Sequence, residues 1–166
     1  MLSPKLKSLL ETQYNKELAS GYFYMQIAEF YDRINLPGFA HFFKKQAEEE
    51  NDHAMKFYQY IVDRGDRIIF QPISVLLGTE FKDFQGITDP MVAFVEHERK
   101  VTDAIEMLST EAKIENDNRT YAFLHEFNIE QVEEVMMAEE MLSKTSLIKD
   151  DGAGILIYDL ELAKAE

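Results

Sequence analysis

The sequence predicts an all-α chain: an up-down four-helix bundle with one long crossover and a short fifth helix at the C-terminal end. Three observations carry that expectation. Apolar residues recur every three or four positions through four long stretches, which is helical periodicity. Only 7 glycines and 4 prolines interrupt 166 residues, so little of the chain needs to be loop. The first and third links between the stretches are short, which makes their flanking helices antiparallel neighbours, whereas the middle link is long.

The first helix is expected over about 4–35, with Ser3 as N-cap and Pro4 at the first helical position. Its inward stripe reads Leu10, Tyr14, Glu17, Gly21, Tyr24, Ala28 and Tyr31. The LPG break at 36–38 ends it, and a second helix follows over about 38–64. There the stripe is Phe43, Ala47, Glu50, Ala54, Phe57 and Ile61, and Gly65 closes the helix. The connection over 66–89, containing RIIFQPISVLLG, is long for a small domain. A crossover explains it: a helix of about 27 residues is roughly 40 Å long, and returning along it takes at least about a dozen extended residues.

Thr88, Asp89 and Pro90 start a third helix over about 90–115, with the stripe Phe94, Glu98, Val101, Ile105 and Leu108. The polar turn ENDN leads to a fourth helix over about 118–144, carrying Leu124, Phe127, Gln131, Glu134 with Val135, Ala138, and Met141 or Leu142. After DDGAG, the apolar ILIYDLEL makes the short fifth helix, about 153–163. The length suits a single domain spanning 1–166.

Composition excludes several functions. With no cysteine there is no disulfide, thiolate zinc site, iron–sulfur cluster or cysteine nucleophile. A net charge of −14 argues against nucleic acid and favours a soluble surface that concentrates cations. No signal peptide or membrane span is legible, because Glu11 interrupts the N-terminal apolar stretch. A reducing cytoplasm fits these features.

The chemistry lies where polar residues occupy core positions. Glu17, Glu50, Glu98 and the Gln131/Glu134 pair each interrupt one apolar stripe near the middle of its helix. In this connectivity the midpoints share one layer, so the side chains converge. Buried carboxylates must be paired, neutralised or metal-bound. Lys16, Lys44, Lys45, Arg99 and Lys100 flank the stripes rather than joining them, which leaves a pair of divalent metal ions as partner. Glu50 and His53 add a Glu-x-x-His spacing on one helix face. Taken singly, each residue has a plainer reading. Solvated glutamates are ordinary, and Tyr14, Tyr31, His41, His97 and His125 are read as packing or surface residues.

Glu17, the EEENDH run ending at His53, Glu98 and the EQVEE run ending at Glu134 together resemble the bacterial non-haem ferritins, along essentially the whole chain. The resemblance implies a ferroxidase that oxidises ferrous iron with dioxygen or hydrogen peroxide and stores the product as a mineral inside a hollow 24-subunit shell. It implies that Glu17, Glu50 and His53 hold one iron and that a bridging Glu50, with Glu98 and Glu134, holds the second. Gln131 lies beside the pair, and Tyr24 is the tyrosine next to it. A third iron site, less closely matched, falls on Glu49, Glu130 and Glu133. The second motif reads Gln131-x-x-Glu134 instead of Glu-x-x-His, a departure from bacterioferritins and rubrerythrin-like oxidoreductases. Asn51 stands where bacterioferritins place a haem-ligating methionine, so no haem is expected. Two other readings compete: a soluble di-iron oxidoreductase or peroxidase without a shell, and a storage bundle without an oxidation centre.

Overall fold

The computed structural model describes residues 1–73 and 83–164. It has five helices: α1 (Pro4–Arg33), α2 (Pro37–Asp63), α3 (Asp89–Ile114), α4 (Asn118–Ile148) and α5 (Gly152–Leu162). No strand occurs among the described residues. Of the long connection, the part over 74–82 lies outside the described residues.

The helix ends follow from local chemistry. The Ser3 hydroxyl accepts from the Leu6 amide at 3.1 Å and starts α1. Asn35, Gly65 and Asn116 take left-handed φ values of 59°, 74° and 56°, and each closes the helix before it. In all three the paired amide-to-carbonyl bonds of a Schellman cap are present, as in Leu36 N–H to Tyr31 O at 2.9 Å and Asn35 N–H to Asp32 O at 3.1 Å. Asp117 then starts α4 at once by accepting from the Thr120 amide at 3.1 Å, and its carboxylate also binds Arg64 at 2.7 Å. These tight turns fix the antiparallel pairs α1–α2 and α3–α4. The fourth helix runs to Ile148, beyond the expected end near 144, because Thr145 stays buried and bonds back to Met141 O at 2.9 Å inside the helix.

The core divides into two apolar halves. One is aromatic and includes Tyr24, Tyr31, Phe39, Phe43 and Phe94 together with Tyr158 of α5. The other is mainly aliphatic, with Leu6, Leu10, Ile61, Ile105, Leu108 and Leu124 around Phe57 and Phe127. Between them lie the polar interruptions of the four stripes. Gly21 sits at this level in α1, where a Cβ would come within 3.2 Å of Ala47 O. The bare glycine lets α1 and α2 approach just where Glu50 must reach Glu17.

The fifth helix docks on α2. Asp159 is buried and accepts from the Phe39 amide at 3.0 Å, capping the positive end of α2. Gly38 is obligatory there, since a Cβ would lie 1.7 Å from Asp159 O. On the outer side Leu156, Ile157 and Leu160 remain exposed.

Candidate metal centre

Of the carboxylates predicted to converge, three are buried and the fourth, Glu134, is half-buried. Glu17, Glu50 and Glu98 are 2%, 7% and 1% exposed, and Gln131 is 7% exposed. Glu17, Glu50 and His53 each bring a ligand atom within 4.8 Å of the others, the one such trio among the described residues. His53 bridges outward from it: Nδ1 lies 3.6 Å from Glu50 Oε2, and Nε2 lies 3.1 Å from Glu130 Oε1. One turn before Glu17, Gln13 donates its Nε2–H to Glu17 Oε1 at 2.8 Å.

The α3–α4 side is arranged differently. Gln131 donates Nε2–H to Glu98 Oε2 at 3.0 Å and also approaches Glu98 O and Thr102 Oγ1, each at 3.3 Å. Glu98 and Glu134 do not close a second tight trio. Of the expected third group, Glu130 is half-buried beside His53, whereas Glu49 and Glu133 are exposed. Glu49 accepts from Gln46 Nε2 at 2.6 Å.

Electrostatics make this layer costly without a cation. Burial, then the neighbouring Glu50 charge, holds Glu17 well above the usual carboxylate range. Burial likewise pushes Glu50 and Glu134 up to about 8 and Glu98 to about 7, with neighbouring glutamates adding to each. Among the described residues no lysine or arginine is a main influence on these four acids; what opposes the rise is the hydrogen bonding of Gln13 to Glu17, of Glu17 to Glu50 and of Gln131 to Glu98, and the His53 charge at Glu17 and Glu134. Glu50 Oε2, Glu98 Oε1, Glu130 Oε2 and Glu134 Oε2 are all buried without a hydrogen-bond partner. Buried acceptors are seldom left unsatisfied. Several orphaned carboxylate oxygens around one imidazole form a donor set suited to a divalent first-row metal.

Tyr24 is fully buried with its hydroxyl unpartnered. Its ring packs at 5.5 Å against Phe94, edge-on, and at 6.1 Å against Phe43. His97, read from sequence as a packing or surface residue, is wholly buried: Nε2 lies 2.9 Å from Ser20 Oγ, and the ring lies 4.5 Å from that of Phe23. Burial drives its pKa down to about 3, so it is neutral. It joins α3 to α1 one residue before Glu98 and three residues after Glu17. Sequence reasoning also missed Gln13, although a glutamine four residues before a core glutamate shares its helix face.

The comparisons with known proteins agree with this architecture. The family described as Ferritin-like domain matches residues 7–148. The chain belongs to the ferritin family. It is 36% identical over 162 residues to the bacterial non-heme ferritin of Staphylococcus aureus, covering 98% of this chain and 95% of that protein. The Staphylococcus epidermidis bacterial non-heme ferritin is also 36% identical, over 163 residues, with 98% and 96% covered. Among solved structures, the open pore ferritin of the hyperthermophilic archaeon Archaeoglobus fulgidus superposes with a TM-score of 0.94 at 32% identity, over 100% of both chains. A humanized archaeal ferritin matches equally well, with a TM-score of 0.94 at 34% identity over 100% of this chain and 99% of the other. Within this ferritin fold, no described helix is long and apolar enough to cross a membrane.

Proposed function

We propose that this chain is an iron-storage subunit, one domain over residues 1–166, whose helix bundle oxidises ferrous iron before the ferric product is stored as a mineral. The observation that carries this reading is the row of orphaned, buried carboxylate oxygens beside Glu17, Glu50 and His53, with no lysine or arginine among the described residues as a main influence on the four core acids. Family membership and the names of the similar proteins support iron as the cargo.

Glu17, Glu50 and His53 hold the first ferrous ion. Glu50 reaches across to the second, which Glu98 and Glu134 complete, with Gln131 beside it. Four carboxylates balance the four positive charges of two ferrous ions, so loading displaces the protons that the burial-raised acids retain. Each ion gives up one electron; dioxygen takes both with two protons and leaves as hydrogen peroxide, or peroxide itself is the oxidant. Tyr24, buried with its hydroxyl unpartnered, is the catalytic tyrosine next to the pair. Glu49, Glu130 and Glu133 form a third iron site on the α2–α4 side, through which His53 contacts Glu130. Asn51 offers no haem ligand, and the working protein is haem-free. A cytoplasmic shell of 24 subunits encloses the mineral, and the exposed Leu156, Ile157 and Leu160 of α5 supply apolar surface for that assembly.

Light scattering on purified protein, with aerobic iron-oxidation rates on the same sample, tests the reading. A large shell that oxidises iron well above the buffer rate is expected. A monomer with a working centre would favour a soluble di-iron oxidoreductase, and a shell oxidising only at the buffer rate would leave a storage bundle without a centre.

A further inference from the structure

A recess approaches the proposed metal layer from the α3–α4 side, away from His53 on α2. It lies in the seam between α3 and α4, holds about 300 Å³, and is walled by Ile105, Val132, Val135 and Met136. Thr102 and Gln131 line it on the side of the metal layer, Asn128 adds a further amide, and the exposed Glu106 stands at its rim. The amide of Gln131 is the partition: one of its faces lines the cavity, and its Nε2–H reaches Glu98 Oε2 at 3.0 Å. The cavity therefore ends one side chain away from a carboxylate of the second iron position.

The two flanks of the layer differ in what they can admit. The α2–α4 flank carries Glu49, Glu130 and Glu133 and suits a hydrated cation. The α3–α4 recess presents mainly hydrocarbon, with Thr102, Asn128 and Gln131 as polar groups in its lining and Glu106 at its rim, so it gives a hydrated cation or peroxide fewer partners than the acidic α2–α4 flank. The recess opens to solvent at Val132 and Met136, and its apolar inner wall favours apolar atoms and small apolar molecules over ions. With Thr102 and Gln131 between the recess and the proposed ions, only a very small molecule passes. The geometry points to this cavity as the binding and access site for dioxygen, with Gln131 as its gate onto the second iron position. Iron and oxidant then reach the layer by separate, polarity-matched routes. The inference rests on the ferroxidase reading: two ferrous ions each lose one electron, and dioxygen takes both with two protons to become hydrogen peroxide.

The test fills the cavity without touching a proposed ligand. In the assembled protein, Val132→Phe and Val135→Phe should raise the dioxygen concentration for half-maximal iron oxidation at least threefold. Anaerobic ferrous affinity and the rate with hydrogen peroxide as oxidant should stay at wild-type values. Crystals of the wild type under xenon pressure should hold xenon between Ile105 and Val135. An unchanged dioxygen dependence in both variants overturns the inference, as does an empty cavity under xenon. A parallel fall in ferrous affinity would overturn it too, by tracing the effect to the ligands. If the wild type itself oxidises iron only at the buffer rate, the ferroxidase reading fails, while the xenon result still reports on the cavity.

Discussion

The two halves of the proposed metal layer are both built on paired glutamates but differ in readiness. On the α1–α2 side, Glu17, Glu50 and His53 already converge within 4.8 Å, brought together by the close helix approach at Gly21. On the α3–α4 side, Glu98 is tied to Gln131 at 3.0 Å, and Glu134 leaves a buried oxygen without a partner. One half is a preorganised site; the other must break the Gln131–Glu98 bond or share its acceptor before it can hold an ion. Preorganisation lowers the cost of binding, so the first ferrous ion should settle at the α1–α2 half and draw the second half together through Glu50.

Removing the residue common to both halves should have the largest effect. Glu50→Ala is expected to lower the oxidation rate at least about tenfold, roughly 1.4 kcal/mol or more in the barrier, and to weaken both ferrous sites. His53→Ala should weaken the first site while sparing more of the rate. An anaerobic ferrous titration followed by stopped-flow oxidation measures both, and a wild-type rate in Glu50→Ala would remove its bridging role.

A smaller effect is expected from pH on the metal-free protein. In the unfolded chain these acids titrate near 4.5, whereas folded Glu98 lies at about 7 and Glu50 and Glu134 at about 8. Between those values the folded state holds protons the unfolded chain has lost, so stability falls as pH rises. The contribution is fully present below pH 4.5 and is gone above about 8. The thermal midpoint should drop several degrees between about pH 5 and 8, at roughly 2–4 °C per kcal/mol for a chain of this size. Glu50→Gln should flatten that slope. An equal slope in wild type and variant would mean that Glu50 is solvated.

The smallest effect compares the supports of the two halves. Gln13→Leu removes the donor to Glu17 and should weaken the first site by about tenfold or less. Gln131→Leu frees Glu98 from its only side-chain donor among the described residues and should leave the first site unchanged. Calorimetry with a redox-inert divalent ion resolves the two; equal effects on both sites from either variant would erase the distinction between the halves.

The sequence makes the glutamates legible because a charged residue in an apolar helical stripe is conspicuous. Glu17, Glu50 and Glu98 each stand out in that way, and the structure buries all three. Gln13 and His97 escape notice for the opposite reason: uncharged side chains on a helix face blend with packing residues until a partner across the bundle is known. The Ser20–His97 contact spans 77 residues, and no local pattern encodes it. The docking of α5 was legible only as an apolar segment in need of a surface. That Asp159 caps α2 over a bare Gly38 depends on a pairing 120 residues apart.

Protons report most directly on whether this layer is a metal site. Anaerobic calorimetry of ferrous binding, repeated in buffers of different ionisation enthalpy between pH 6 and 8, counts the protons released on loading. Because Glu50, Glu98 and Glu134 titrate at about 7 to 8 and burial also holds Glu17 well above the usual carboxylate range, two binding steps with net proton release are expected, the first tighter than the second. Affinity should fall as the medium is acidified, and Gln131→Glu should increase the release by adding a fifth carboxylate to the layer. A single weak step with the same heat in every buffer would mean the acids are solvated, and would contradict a buried pair of iron sites.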